Sequence, residues 1–142
     1  MMIKLRDLVI ESIDSDEVAG VVYVVNKESF LCLKRSDNKQ EWSIPKGHIH
    51  IDEEPIDGAI RELSEETQLI LPNKLELFKS YKNFHLFICH GEKELCPRLN
   101  HEHVDWKYQS INHYPDNFDS KHGKYIKELI SGIWGCKRSR YF

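Results

Sequence analysis

Residues 47–69, GHIHIDEEPIDGAIRELSEETQL, constrain the fold more than any other part of the chain. Pro55 suits the first turn of a helix, where its missing N–H costs nothing. Ile56, Ala59, Ile60 and Leu63 follow at i, i+3, i+4 and i+7, the spacing of one amphipathic stripe. At about 100° per residue, with Ile56 at zero, the other three lie within roughly 60° of it. Glu65, Glu62 and Glu66 then fall at about 180°, 240° and 280°. They form one acidic face, turned away from the apolar stripe.

Such crowding is unfavourable. Glu62 stands three and four residues before Glu65 and Glu66, and each like-charge pair of that kind costs an isolated helix about 0.2–0.5 kcal/mol. The acids also lie toward the helix C-terminus, where the macrodipole disfavours anions. On charge pattern alone, a solvated acidic face is the commoner explanation. A divalent cation is the explanation that offsets the cost, since hard oxygen ligands on one face suit Mg²⁺ or Mn²⁺, which also accept substrate phosphates.

Residues 18–25, VAGVVYVV, are apolar and β-branched and predict a buried strand. Residues 26–29 predict a turn, and 30–34 the returning strand of a hairpin. Residues 36–40 are a polar loop, and Pro45 and Gly47 limit regular structure over 42–47. Residues 75–80 and 83–89 predict two further strands. A polar loop at 98–103 leads to a short strand at 105–110. Residues 120–134 predict a final helix with Tyr125, Ile126, Leu129, Ile130 and Ile133 on its apolar face. Strands followed by helices at two separate places predict an α/β domain with helices on both sides of a mixed sheet. The 142 residues are the length of a single domain, 1–142.

The bulk features exclude several classes. No apolar run approaches the ~20 residues of a membrane span. Residues 1–7, MMIKLRD, reach charge before any long apolar centre, unlike a signal peptide, so a cytoplasmic protein is expected. Cys32, Cys89, Cys96 and Cys136 form no C-x-x-C pair and are read as reduced, mostly buried thiols. His48 and His50 alternate, as do His101 and His103, which suits a strand face and supporting roles better than a zinc site. A net charge of -3 argues against broad nucleic-acid binding, and the basic run at 137–140 is short enough to be a solvated helix end.

Gly47, Glu53, Arg61, Glu62, Glu65 and Glu66, with Leu63 and Leu69 at the aliphatic positions, closely resemble the Nudix box, G-x5-E-x7-R-E-U-x-E-E-x-G-U. One position departs: Gln68 replaces the final glycine, so the chain must leave the helix differently or accept strain of roughly 1 kcal/mol. The resemblance implies a Nudix-type α/β/α sandwich and hydrolysis of a nucleoside diphosphate linked to another group, with Mg²⁺ or Mn²⁺ as cofactor. Glu65 and Glu66 would be the principal metal ligands, Glu62 a ligand or a base for the attacking water, and the carbonyl of Lys46 a further ligand. Arg61 would pair with Glu53 and hold the loop to the helix, and an i, i+4 pair with Glu65 is compatible with this. Arg35 and Lys46 are candidate cations for the phosphate oxygens.

Residues 42–47, WSIPKG, resemble the W-x-x-P-K-G lead-in of family members acting on dinucleoside polyphosphates and on triphosphorylated or capped RNA 5′ ends. Glu102, four residues before Trp106, is similar to an acid that binds a metal or acts as base in those subfamilies. Tyr81, Phe84 and Tyr108 could stack a base or simply pack. The implied substrate is therefore a dinucleoside polyphosphate or an RNA 5′ end. ADP-ribose, which Pro97 weakly suggests, or a damaged nucleoside triphosphate is the first alternative. A non-catalytic nucleotide-sensing module is the second, disfavoured because Glu62, Glu65 and Glu66 are all present.

Overall fold

The computed structural model describes residues 14–139, and it is an α/β/α sandwich built on a seven-stranded mixed sheet. The central strand, β1 (Asp14–Val25), is apolar at both parities because both of its faces are covered. Val18, Val22 and Val24 point into one core layer, and Ala19, Val21, Tyr23 and Val25 into the other. Asn26 and Lys27, both at positive φ, turn the chain into β2 (Ser29–Arg35).

The hairpin then splays. Only Val24 and Val25 pair with Phe30 and Ser29. The gap is filled by residues expected to be irregular. They form two short strands, β3 (Trp42–Ser43) and β4 (Lys46–His50), joined at Ile44 and Pro45. The proline is accommodated because it lies between the strands, where β3 leaves β2 and β4 joins β1 antiparallel through Val18–His48, Ala19–Gly47 and Gly20–Lys46. On its other side β1 pairs in parallel with β6 (Phe84–Gly91), which carries the edge strand β5 (Glu76–Ser80). Strand β7 (His103–Ser110) completes the far edge against β2. It starts at His103 rather than 105, while His101 remains in a turn.

Helix α1 (Pro55–Thr67) covers one face, and helix α2 (Gly123–Ser139) packs Ile126, Leu129 and Ile130 into the other. α1 is rotated relative to the sequence expectation. Ala59 and Leu63 are buried, but Ile56 and Ile60 are 40% and 48% exposed. Gly58, Glu66 and Thr67 are buried instead, so the acidic face is turned partly inward. Ala59 and Glu66 lie seven residues apart, about 20° on the helix, so burying the first carries the second with it. Gln68 adopts the left-handed conformation (φ 57°) at the helix end and donates its N–H to Ser64 O. The departure from glycine is thus met by strain rather than by a different exit. Cys32 and Cys89 are buried as expected, whereas Cys96 is exposed. The side chains of Cys136 and of the basic tail lie outside the described residues.

Gly91 marks a close approach at the far end of β6. A Cβ there would fall on the Tyr23 hydroxyl and 2.6 Å from ring atom Cε1. Tyr23 is fully buried and its hydroxyl donates to Lys93 O at 2.7 Å. Gly91→Ala is therefore expected to lower the unfolding free energy by about 1–3 kcal/mol. Urea titration reads this directly, and an unchanged midpoint would show that the ring yields freely.

Candidate active site

The splay of the hairpin places β4 under the acidic face of α1. Gly47 makes the contact possible, since a Cβ on it would land on the Glu62 carboxyl group. Arg61 spans the acids around this point. Its Nε and Nη2 donate to the two Glu53 oxygens at 3.0 and 3.1 Å, and Nη2 also donates to His48 O at 2.9 Å. Its Nη1 donates to Glu62 at 2.9 Å and to Glu65 at 3.2 Å. Glu53 in turn accepts the His50 N–H at 2.9 Å, which ties the loop before α1 to the helix. The Arg61 hydrogen bonds hold the Glu53 carboxyl below its ordinary range, against the opposing effect of burial.

Glu66 is 2% exposed. Its carboxyl accepts a long hydrogen bond from the Lys46 N–H (3.3 Å), and His103 Nε2 stands 3.9 Å from Oε1. Burial first, then the hydrogen bond and charge of Glu62 and the charge of Glu102, raise Glu66 well above the usual carboxylate range. Burial also raises Glu62, against the lowering effects of Glu66 and Arg61. Two carboxyls in contact, one of them fully buried, cannot both ionise cheaply, and both are raised.

The other expected residues divide into two groups. Arg35 reaches the same opening: its Nε donates to Asp37 at 2.7 Å, and the charges of Glu102 and Glu66 act on it. Glu102 is exposed beside it, with its N–H held by Asn100 Oδ1 and its carbonyl by the Ser36 N–H. The structure thus joins Arg35, Lys46, Glu53, Arg61, Glu62, Glu65, Glu66 and Glu102 through one chain of contacts and charge interactions. The aromatics are placed elsewhere. Phe84 is 2% exposed and stacked on His122 at 4.3 Å. Tyr81 stacks on Tyr125 at 4.0 Å and donates to Glu128. Tyr108 bonds the backbone of Leu95 on the opposite core face.

A network that sequence reasoning missed holds Lys46. Its ammonium lies 2.9 Å from Asp119 Oδ2 and 2.9 Å from His122 Nδ1, with only 15% of the side chain exposed. Asp119 also accepts the Ser43 hydroxyl at 2.6 Å and the His122 N–H at 2.8 Å. An Asp just ahead of a helix is a capping signal, but nothing local links it to a lysine 73 positions earlier. A cavity of about 750 Å³ at the other end of β1, lined by Tyr23, Asn26 and His90, contains none of these groups.

The donor chemistry fits a hard divalent cation. The Glu62 carboxyl lies against a backbone kept bare by Gly47, the buried Glu66 carboxyl is beside it, and the His103 Nδ1 is buried with no hydrogen-bond partner. Among the described residues, no three His, Cys, Asp or Glu side chains converge closely enough to hold an ion as they stand. The reason is visible in the geometry: Glu65 is turned outward onto Arg61, with 53% of its side chain exposed.

The model of the NUDIX domain matches residues 15–129. The chain is 31% identical over 119 residues to dihydroneopterin triphosphate diphosphatase of Haemophilus influenzae, covering 68% of this chain and 75% of that protein. It is 32% identical over 81 residues to RNA pyrophosphohydrolase of Bartonella tribocorum, covering 57% of this chain and 45% of that one. The fold matches the crystal structure of a C. elegans Ap4A hydrolase binary complex with a TM-score of 0.68 at 22% identity, covering 87% of this chain and 99% of the other.

Burial, and after it the Lys46 charge, lower the His122 imidazole from 6.5 to about 4. The folded protein therefore refuses a proton that the unfolded chain accepts. This contribution to stability is present in full above pH 6.5 and is lost as pH falls toward 4. The difference in unfolding free energy between wild type and His122→Asn is expected to shrink by roughly 3 kcal/mol between pH 7 and pH 4. Denaturant titrations at both pH values check it, and a constant difference would contradict it.

Proposed function

Because this chain belongs to the NUDIX domain family of pyrophosphohydrolases, we propose that it is a Mg²⁺- or Mn²⁺-dependent enzyme cutting a phosphoanhydride in a dinucleoside polyphosphate or a triphosphorylated RNA 5′ end. The observation that carries the reading is the Glu62 carboxyl lying on the bare backbone of Gly47, with the buried Glu66 carboxyl beside it. Similarity to an RNA pyrophosphohydrolase supports the substrate class. A second reading, a pterin triphosphate, is favoured by the 31% identity to the Haemophilus influenzae enzyme. All three substrates offer a run of phosphates.

Glu62, Glu65 and Glu66 would hold the metal, with the Lys46 carbonyl and Glu102 as further ligands. When bound, the metal neutralises phosphate charge and lowers the pKa of the attacking water. Arg61 is built to permit loading. Only its Nη1 contacts with Glu62 and Glu65 need to break, while Nε and Nη2 stay on Glu53 and His48 O. Glu102, exposed in the turn before β7, can accept the proton of the attacking water where it is not itself a ligand. Arg35 can stabilise charge on the phosphoryl oxygens. Lys46, paired with Asp119, acts by holding its own backbone carbonyl in place.

A panel of diadenosine tetraphosphate, triphosphorylated RNA, dihydroneopterin triphosphate, ADP-ribose and nucleoside triphosphates, each with Mg²⁺ and Mn²⁺, tests the reading. Cleavage of one of the first two is expected, with loss on chelation and a fall in kcat of at least ~100-fold in Glu62→Gln and Glu66→Gln. Cleavage of ADP-ribose alone would overturn the substrate, and wild-type turnover in Glu66→Gln would overturn the metal assignment.

A further inference from the structure

We propose that His103 is a positioning residue for the metal site, donating to the Glu66 carboxylate and so fixing which oxygen meets the cation. The inference rests on the metal-dependent reading above.

His103 opens β7, opposite Arg35 of β2, at the point where the register between the two strands shifts. This directs a polar ring inward rather than along the solvent-facing side of the strand. Only 5% of its side chain is exposed. Its Nδ1 has no hydrogen-bond partner, and Nε2 stands 3.9 Å from Glu66 Oε1, beyond hydrogen-bond reach. A buried polar group left short of partners is destabilising, and an apolar side chain of similar volume would suit the position better. What stands beside it is Glu66, whose carboxyl is loosely held for so buried a group.

The looseness is confined to the carboxyl. The backbone around Glu66 is fixed by the left-handed turn at Gln68, by Arg98 N–H donating to Thr67 O at 2.8 Å, and by Asn100 Nδ2 donating to Glu65 O at 3.1 Å. With a cation on Glu66 Oε2, the Oε1 atom, which accepts only the long Lys46 N–H bond among the backbone donors, has a lone pair left for His103. An imidazole N–H about 1 Å beyond normal hydrogen-bond distance then closes onto it as a charge-assisted bond. Partners of that kind orient a ligating carboxylate and set metal affinity.

The test uses the full chain and Mn²⁺ alone, with binding read by electron paramagnetic resonance and metal-free stability by thermal denaturation. His103→Leu is expected to weaken Mn²⁺ binding 10–100-fold while its metal-free midpoint stays equal or rises. His103→Gln keeps an amide N–H near the Nε2 position and is expected to restore affinity to within a few-fold. His103→Asn, whose amide falls nearer the Nδ1 position, is expected not to. Wild-type Mn²⁺ affinity in His103→Leu overturns the proposal. So does a loss of affinity in all three variants that tracks a matching loss of metal-free stability, which would mark a packing role. A wild-type protein that binds no Mn²⁺ overturns this inference together with the metal-dependent reading, whereas wild-type binding that survives His103→Leu overturns the inference alone.

Discussion

The buried carboxyl of Glu66 is the constraint to which the surrounding structure answers. An ionisable group at 2% exposure survives only if it is neutral or paired. Burial, Glu62 and Glu102 raise its pKa well above the usual carboxylate range, and each neighbour is arranged around the Glu62–Glu66 pair. Gly47 withholds a side chain so that Glu62 can lie on β4. Arg61 supplies positive charge to Glu62 but not to Glu66, so the two acids are held unequally. On the metal-dependent reading, a divalent cation beside the pair would relieve the same repulsion.

A site of this kind needs a rigid floor, and the splayed hairpin provides it. If β1 and β2 paired along their whole length, no backbone would lie free beneath α1. The insertion of β3 and β4 between them puts Lys46 and Gly47 there. The floor is then fastened from the opposite layer by the Lys46–Asp119 ion pair, with Asp119 held by Ser43 and by the start of the segment leading into α2. Both helical layers therefore bear on one short strand. A buried ion pair is weak evidence for net stability, but breaking one is costly, which makes it a good device for fixing register.

Much of this was legible in the sequence. The β1–β2 hairpin, the start of α1 at Pro55, the Arg61–Glu53 pairing and the α/β/α layering all rest on local spacing or on the box pattern, and all appear in the structure. What was not legible depends on contacts across layers. Periodicity assigned Ile56 and Ile60 to the core, whereas the sheet beneath accepts Ala59 and Leu63 with Ile49, Val21 and Phe87. The strands β3 and β4 were hidden because Pro45 interrupts a run that is continuous only through pairing with two different partners. The aromatics Tyr81, Phe84 and Tyr108 carry no signal separating ligand stacking from packing, and the structure sets them in packed clusters. Lys46–Asp119 and His103–Glu66 join segments too distant for any spacing rule.

The rotation of α1 shows which demand prevails. Turning the helix by roughly 60° would bury Ile56 and Ile60 at about 1.5–3 kcal/mol for each side chain fully removed from water, and would return Glu66 to solvent. That arrangement is the one hydrophobic periodicity predicts. The observed one leaves both isoleucines near half exposure and buries an acid. Close packing explains part of the choice, because Ala59 lets the helix approach β1 nearly side chain to backbone, where an isoleucine would hold it off. With Ala59 against the sheet, Glu66 follows at about 20°, and its carboxyl is carried inward beside His103. A small residue at position 59 is therefore as much a determinant of the acidic site as the glutamates, because it sets how deeply they sit.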